Sequence, residues 1–238
     1  AADFSTGCLM QAIVLAGGLG TRLRSVVADL PKPMAPVAGR PFLGWVLDRL
    51  VDAGFERAVL AVGYRHEAIC DHFGDNYRGM ALHYSVEHTP MGTGGAIRLA
   101  ADQVTALPVL VLNGDTFLEL DYAAMVAAHR QASARLSMAV CRVPDVGRYG
   151  ALALQGDTVI GFLEKGGSGP GDINAGVYLL SADILQQIPA HTTFSFEQQL
   201  LVPRVAELRP LAFHTAGRFI DIGIPEDFER AQQWFAHA

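Results

Sequence analysis

The stretch QAIVLAGGLGTRLRSVVADLPKPMAPV, residues 11–37, decides how the rest of the chain is read. It opens on a short apolar run, QAIVLA, of the length of a buried strand, and Gly17, Gly18 and Gly20 follow at once. Without Cβ atoms, glycines let backbone N–H groups close on an anion, so a strand running into such a loop is a candidate phosphate cradle. A plain strand-to-helix turn has the same composition, and residues further along must decide between the two. Two known phosphate loops do not fit. A dinucleotide fingerprint needs glycine or alanine where Leu23 stands and an acid about 20 residues on, where the chain reads APVAGRP. A P-loop needs Gly-Lys followed by Ser or Thr, a triplet that occurs nowhere in the chain.

The 238 residues are enough for one domain, or one domain with an appendage. Half of them are hydrophobic, yet the longest apolar runs, such as ALPVLVL at 106–112, fall short of the roughly 20 residues that span a bilayer. No membrane insertion is expected. The formal charge of −6 speaks against a general nucleic-acid binder, so an anionic ligand must be held by local cations. Arg22, Arg24 and Lys32 form one such concentration. Of the 18 basic residues only two, Lys32 and Lys165, are lysines, which argues against a solvated surface role for both.

Three scattered cysteines, Cys8, Cys70 and Cys141, form neither a disulfide framework nor a zinc pattern, and the eight histidines lack metal-ligand spacing. A reducing cytoplasm is the expected location. The N-terminus lacks the basic segment of a secretory signal, and Met10 reads as the natural start, with residues 1–9 a leader or appended residues.

Short apolar runs alternate with amphipathic stretches through the first two thirds. QAIVLA (11–16), RAVLAV (57–62) and PVLVLNGD (108–115) read as buried strands, and the residues 42–54, 94–104 and 122–132 read as helices. Such alternation predicts an α/β fold, a mostly parallel central sheet with helices on both faces. The ligand crevice is expected at the C-terminal ends of the strands. After about residue 136 strand-like segments separated by Gly-Asp and GGSGPGD turns predict a smaller, antiparallel lobe. Helical character returns at 196–208, where Pro203 must bend or split it, and at 225–238. The whole is read as a single two-lobed domain over 10–238.

Gly17-Gly18-Leu19-Gly20-Thr21-Arg22-Leu23 with Lys32-Pro33 resembles the signature of the sugar-1-phosphate nucleotidylyltransferases. PMGTGGA, NGDTF, GRYGAL, FLEKG, INAGVYLL and FIDIGIPEDF follow in the family's order, so the resemblance runs from Gln11 to Phe228. It implies a Rossmann-like nucleotidylyltransferase fold, with residues 10–135 mainly a nucleotide-binding half and 136–238 mainly a sugar-binding half. It also implies a reaction that joins a nucleoside triphosphate to a sugar 1-phosphate and releases pyrophosphate.

The resemblance implies roles for individual residues. Leu15, Ala16, Gly17, Gly18, Gly20, Thr21, Arg22, Glu87, Gly92 and Thr93 would bind the nucleotide, with Arg22 clamping β- and γ-phosphate oxygens. Lys32 would place a compact charge near the α-phosphate, where a broader guanidinium is a poor replacement. Gly150, Glu164, Lys165, Asn174 and Gly176 would hold the sugar 1-phosphate. Asp115 and Asp221 match the family's metal aspartates, and two carboxylates beside a triphosphate make a hard oxygen site for Mg²⁺. The catalytic set is then Arg22, Lys32, Asp115, Lys165 and Asp221. A homo-oligomer is compatible with all of this.

Base choice has a physical argument. Glu87 occupies the place where thymidylyl and some uridylyl relatives carry glutamine. Guanine offers two adjacent donors, which suit a carboxylate, whereas uracil and thymine set carbonyl oxygens beside one donor; an unsatisfied buried group costs roughly 1–3 kcal/mol. Glu87 therefore favours GTP. The run TRLRSVVADLPKPMAPVAGRPFL, with VLNGDTF and FSFEQQLL, looks most like the branch that uses heptose 1-phosphate, although that branch often has an acid where Gln198 or Gln199 stands here. Mannose 1-phosphate with GTP and N-acetylmuramate 1-phosphate with UTP are the same-class alternatives. A non-catalytic subunit that only senses sugar nucleotides is the alternative of another class, and Lys32, Asp115, Lys165 and Asp221 speak against it.

Overall fold

In the computed structural model, which describes residues 10–18, 30–163 and 166–236, the opening apolar run is strand β1 (Gln11–Leu15). The leader expected over 1–9 lies outside the described residues. A short 3₁₀ turn (Lys32–Met34) leads into a ribbon of β2 (Pro36–Val37) and β3 (Arg40–Pro41), and then α1 (Phe42–Asp52), β4 (Arg57–Val62), α2 (His66–Phe73), β5 (Asn76–Tyr77) and β6 (Met80–Val86). Next come α3 (Gly92–Ala101), β7 (Val109–Asn113), β8 (Thr116–Leu118), α4 (Tyr122–Gln131) and β9 (Leu136–Val143). The last part holds β10 (Leu152–Gln155), β11 (Thr158–Phe162), β12 (Gly171–Leu180), α5 (Ala182–Gln186), a π-helical turn (Phe196–Leu201), α6 (Val205–Leu208), β13 (Leu211–Thr215), β14 (Phe219–Asp221) and α7 (Pro225–Phe235). Pro203 falls between the π turn and α6, so the helical stretch is split where its ring and missing N–H require.

One ten-stranded sheet in the order β10-β11-β13-β9-β12-β7-β1-β4-β6-β5 carries the fold. Seven of its strands run one way, and β5, β11 and β12 run against them. The smaller antiparallel lobe expected after residue 136 is therefore not a separate layer. β12 pairs antiparallel with both β7 and β9 and so splices the two halves, while β13 returns beside β9 in parallel after the helical crossover. The chain builds outward from β1 through β4 to β6 and then crosses back to place β7 on the other side of β1. That reversal opens a crevice at the C-terminal ends of β1 and β7.

Successive residues of the central strands face opposite sides, and both sides are covered. Ala12, Val14, Leu60 and Leu110 meet α1, α2, α4 and α7, whereas Ile13, Val59, Ala61 and Val111 meet α3, α5, the π turn and α6. In α1 the apolar residues Phe42, Leu43, Val46, Leu47 and Leu50 repeat at helical spacing on one buried face, and Gly54, at φ +82°, ends the helix. No helix of the described residues is long and apolar enough to cross a membrane.

Phe42 is wholly buried and meets Phe235 of α7 edge to face, with ring centroids 6.3 Å apart. Phe42→Ala should cost about 3–5 kcal/mol of stability. Chemical denaturation followed by circular dichroism would check this, and an unchanged midpoint would show that α1 and α7 are not packed as described.

Candidate active site

The loops that leave β1, β4, β6 and β7 all open on the same edge of the sheet, and backbone bonds lace them together. Ala16 N–H donates to Ala61 O at 2.8 Å, Glu87 N–H to Val62 O at 2.8 Å, and Gly114 N–H to Leu15 O at 2.8 Å. Above this floor lies a cavity of about 720 Å³ whose walls include Leu15, Gly17, Gly18, Gly63, Glu87 and Asn113. A second cavity of about 290 Å³, reached past Lys32 and Asp221, shares Leu15, Gly18, Asn113 and Asp115 with it.

Gly17 is a glycine because of what lies against it. A Cβ there would stand 2.6 Å from Glu87 Oε1 and 3.3 Å from Gly63 N. The Glu87 carboxylate is thereby pressed over the glycine loop, and its other oxygen accepts the Met91 N–H at 3.0 Å. Burial raises the Glu87 carboxyl above the ordinary glutamate value of 4.5, and the Met91 N–H pulls it back only in part.

Across the floor, the Lys32 ammonium donates to Asp115 Oδ2 at 2.6 Å and to Asp221 Oδ1 at 3.1 Å. The lysine side chain is only 12% exposed, while the carboxylates, at 32% and 30%, open to the cavity. Three local structures meet here. The 3₁₀ turn, closed by Met34 N–H to Pro31 O and Ala35 N–H to Lys32 O, aims Lys32 inward. Asp115 sits in the turn after β7, and antiparallel pairing of β8 with β14 sets Asp221 opposite Thr116. Ile222 N–H closes the arrangement on Asp115 O at 3.2 Å. Burial lowers the Lys32 ammonium's pKa, but the charges of Asp115 and then Asp221, with their hydrogen bonds, overcome it, so the net shift is upward from 10.5.

On the other side of the crevice a bulge interrupts the pairing of β12 with β9 between Asn174 and Tyr178. Bulges re-aim side chains, and this one does so twice. Asn174 Nδ2 donates to Tyr178 Oη at 2.7 Å and to Glu197 Oε2 at 3.1 Å, while its Oδ1 accepts the Gly176 N–H at 3.0 Å. Gly176, at φ +71°, lies against Asn113, where a Cβ would come within 2.5 Å of Nδ2. Gly150, at φ +80°, closes the turn before β10 with its N–H on Val146 O at 2.9 Å, and the Leu163 N–H donates to Ala151 O beside it at 2.8 Å.

Gly92 and Thr93 line the large cavity at the start of α3. Close approach of another segment accounts for the glycines there, since the Gly94 and Gly95 N–H groups both donate to Phe194 O and Thr93 Oγ1 accepts the Phe196 N–H at 3.0 Å. Of the site residues expected from the sequence, Leu15, Ala16, Gly17, Gly18, Lys32, Glu87, Gly92, Thr93, Asp115 and Asp221 line one or both cavities. Gly176 lies against Asn113, which walls both, Asn174 accepts the Gly176 N–H, and Gly150 lines neither cavity. Gly20, Thr21, Arg22, Glu164 and Lys165 lie outside the described residues.

Three residues were not singled out from the sequence. Asn113 walls both cavities, Gly63 is held close by Gly17, and Glu197 is the acidic residue that faces Asn174, one position before Gln198. Asn113 lies inside the NGDTF motif and could have been named from it. The other two depend on contacts between distant segments that no local pattern carries.

Residues 11–237 match the family model of the nucleotidyl transferases. The chain is 41% identical over 228 residues, 96% of it and 99% of the relative, to D-glycero-α-D-manno-heptose 1-phosphate guanylyltransferase of Aneurinibacillus thermoaerophilus. The protein of the same description from Campylobacter jejuni is 40% identical over 220 residues, covering 92% of this chain and 97% of the relative. Among solved structures, HddC from Yersinia pseudotuberculosis complexed with GMP-PN superposes with a TM-score of 0.84 at 40% identity, covering 95% of this chain and 99% of that one.

The position of Lys32 has a direct spectroscopic consequence, since a chain with two lysines gives two side-chain ¹³Cε signals under lysine labelling. The Lys32 signal should keep its ammonium form above pH 10.5, because the carboxylates raise its pKa, and Asp115→Asn should move that titration downward. A Lys32 signal that titrates below 10.5 in the unaltered protein would contradict the geometry.

Proposed function

The chain belongs to the nucleotidyl transferase family, and from that premise we propose that it transfers GMP from GTP to D-glycero-α-D-manno-heptose 1-phosphate, releasing pyrophosphate and forming GDP-heptose for a bacterial surface polysaccharide. The observation that carries the proposal is the ammonium of Lys32 shared by two cavity-facing carboxylates beside a pocket large enough for a nucleotide. Such a cluster suits phosphoryl chemistry, in which positioning and charge neutralisation do most of the work.

In this reaction an oxygen of the sugar phosphate attacks the α-phosphorus in line, and pyrophosphate leaves from the opposite side. Lys32, already charged and buried, donates to the α-phosphate oxygens as charge builds on them. Arg22 is assigned to the departing β- and γ-phosphates and Lys165 to the incoming sugar phosphate. Glu87 reads the guanine N1–H and N2–H₂ edge from its place over Gly17. Residues 10–135 thus supply mainly the nucleotide subsite and 136–238 mainly the sugar subsite. GTP is a cytoplasmic nucleotide, and the enzyme would work there.

The donor set suits Mg²⁺. Asp115 and Asp221 already share one cationic group, Lys32, and among the described residues no cluster of three or more His, Cys, Asp or Glu forms a closed cage. Asp115 and Asp221 would hold the ion and leave its other positions to phosphate and water. Bound there, it would neutralise triphosphate charge and fix the geometry of the phosphate chain.

Asp115→Asn and Asp221→Asn should each lower GDP-heptose formation from GTP and heptose 1-phosphate by about 10²-fold or more, with the circular dichroism spectrum unchanged. Lys32→Arg should lose a comparable amount despite keeping its charge. Near-normal turnover in both aspartate variants would remove the carboxylate pair from the mechanism. A separate expectation concerns Glu87. Because its pKa is raised, the carboxylate gains a proton as pH falls toward that value from above, and the KM for GTP should rise over that window. Glu87→Gln should lose this limb and accept UTP or dTTP better, and an unchanged pH profile and base preference would show that other groups read the base.

A further inference from the structure

The family resemblance gives the Asn174 amide to the sugar, yet in the folded chain that amide is already engaged. Gly176 N–H donates to its Oδ1 at 3.0 Å, which fixes the oxygen end of the amide. Both hydrogens of Nδ2 then have acceptors, Tyr178 Oη at 2.7 Å and Glu197 Oε2 at 3.1 Å. Asn174 has no N–H left to offer a sugar hydroxyl.

Glu197 is in the opposite condition. An ionised carboxylate has about four acceptor sites, two on each oxygen. Asn174 takes one on Oε2, and the exposed Gln198 Nε2 takes one on Oε1 at 3.1 Å; among the described residues nothing takes the second site of either oxygen. The carboxylate is also held in place. Next to it in the chain, the Phe196 N–H donates to Thr93 Oγ1 at 3.0 Å, and the Phe196 ring meets Tyr178 edge to face with centroids 5.2 Å apart. Ser195 caps the π turn, its Oγ accepting the Gln198 N–H at 3.1 Å while its own N–H donates to Gln199 Oε1 at 2.7 Å. Thr93 lines the large cavity, and Gly176 lies against Asn113, which lines both, so the network is anchored to the crevice wall at two points. The two glutamines that stand where the heptose branch often has an acid thus have local work, Gln199 in the cap and Gln198 against Glu197. The acid of this site is Glu197 itself.

We propose that Glu197 is the residue that selects the sugar, its two carboxylate oxygens each accepting one of two adjacent hydroxyls, and that Asn174 is a positioning residue that aims it. This rests on the reading that the chain binds a sugar 1-phosphate. One open acceptor site on each oxygen matches a vicinal diol, which presents two O–H donors side by side. Hydrogen bonds to an ionised acceptor are stronger than those between neutral groups, and a site built to bind a hydroxyl discriminates against an analogue that lacks it. The nucleotide subsite, built on β1, β4 and β6, should not feel the loss of Glu197.

The test sets a series of monodeoxy sugar 1-phosphates against Glu197→Ala, against Glu197→Gln, which keeps the shape and an acceptor for Asn174, and against Asn174→Ala. With the unaltered enzyme, removing either of two adjacent hydroxyls should lower kcat/KM by roughly 10- to 100-fold. Glu197→Ala should lower kcat/KM for the complete sugar by a similar factor, and the further penalty at those two positions should then shrink to within about threefold, while the KM for GTP stays within about twofold. Glu197→Gln should lose the penalty at one of the two positions. Asn174→Ala should weaken both penalties, and combining it with Glu197→Ala should add little, as expected of a residue that acts through Glu197. Calorimetric binding of the same series reads the same penalties without turnover. If the unaltered protein makes no GDP-heptose while a binding penalty at two adjacent hydroxyls disappears in Glu197→Ala, the heptose reading fails and the role of Glu197 stands. Penalties that persist unchanged in both Glu197 variants, or an unaltered protein indifferent to every single hydroxyl, would overturn the role of Glu197 even if GDP-heptose is formed.

Discussion

The Lys32 ammonium reaches two carboxylates that lie 83 and 189 residues away in the chain, and its charge offsets the repulsion between them. Like charges drawn to one cation repel each other, and taking them partly out of water strengthens the repulsion. The buried ammonium compensates it, and in doing so it fixes where the 3₁₀ turn, the end of β7 and the β8–β14 ribbon meet. The same electrostatics serves the proposed chemistry. A place that already balances two negative charges against one compact positive one would, on the proposed function, suit a polyphosphate and a divalent cation.

Close approach of backbone to side chain governs the remainder of the crevice. Gly17 exists so that Glu87 can lie over the loop, Gly176 so that Asn113 can lie against β12, and the glycines opening α3 so that residues 192–196 can pack on it. Substitution by any L residue at these places puts an atom within contact distance of a group that holds the cavity's shape. The glycine richness of this chain is thus tied to particular neighbours as well as to turns, and the neighbours come from both halves of the sheet.

Much of this is legible in the sequence. β1, β4 and β7 are continuous apolar runs, and the runs mark the strands to within about two residues, because strands buried on both faces have no polar interruption. β6, with His83 and Tyr84 inside it, and β13, with His214, alternate in burial and did not stand out, nor did the short α2. The antiparallel half was expected as a smaller lobe because its turns are local and visible, while the pairing of β12 with β7 that merges it into the main sheet is long-range and is not. At the site, Lys32, Asp115 and Asp221 could be named because lysine is rare in this chain and the aspartates sit in motifs. Their mutual contact, the Glu87–Gly17 approach and the Asn174–Glu197 bond depend on folding.

A matrix of GTP, UTP, dTTP and ATP against the 1-phosphates of D-glycero-α-D-manno-heptose, mannose, glucose and N-acetylmuramate, with Mg²⁺ and pyrophosphate release as the readout, tests the central claim most directly. The account predicts that the pair of GTP with the heptose 1-phosphate has the highest kcat/KM and that release stops when the metal is chelated. Pyrophosphate release from none of the pairs, or equal rates with UTP and GTP, would contradict it.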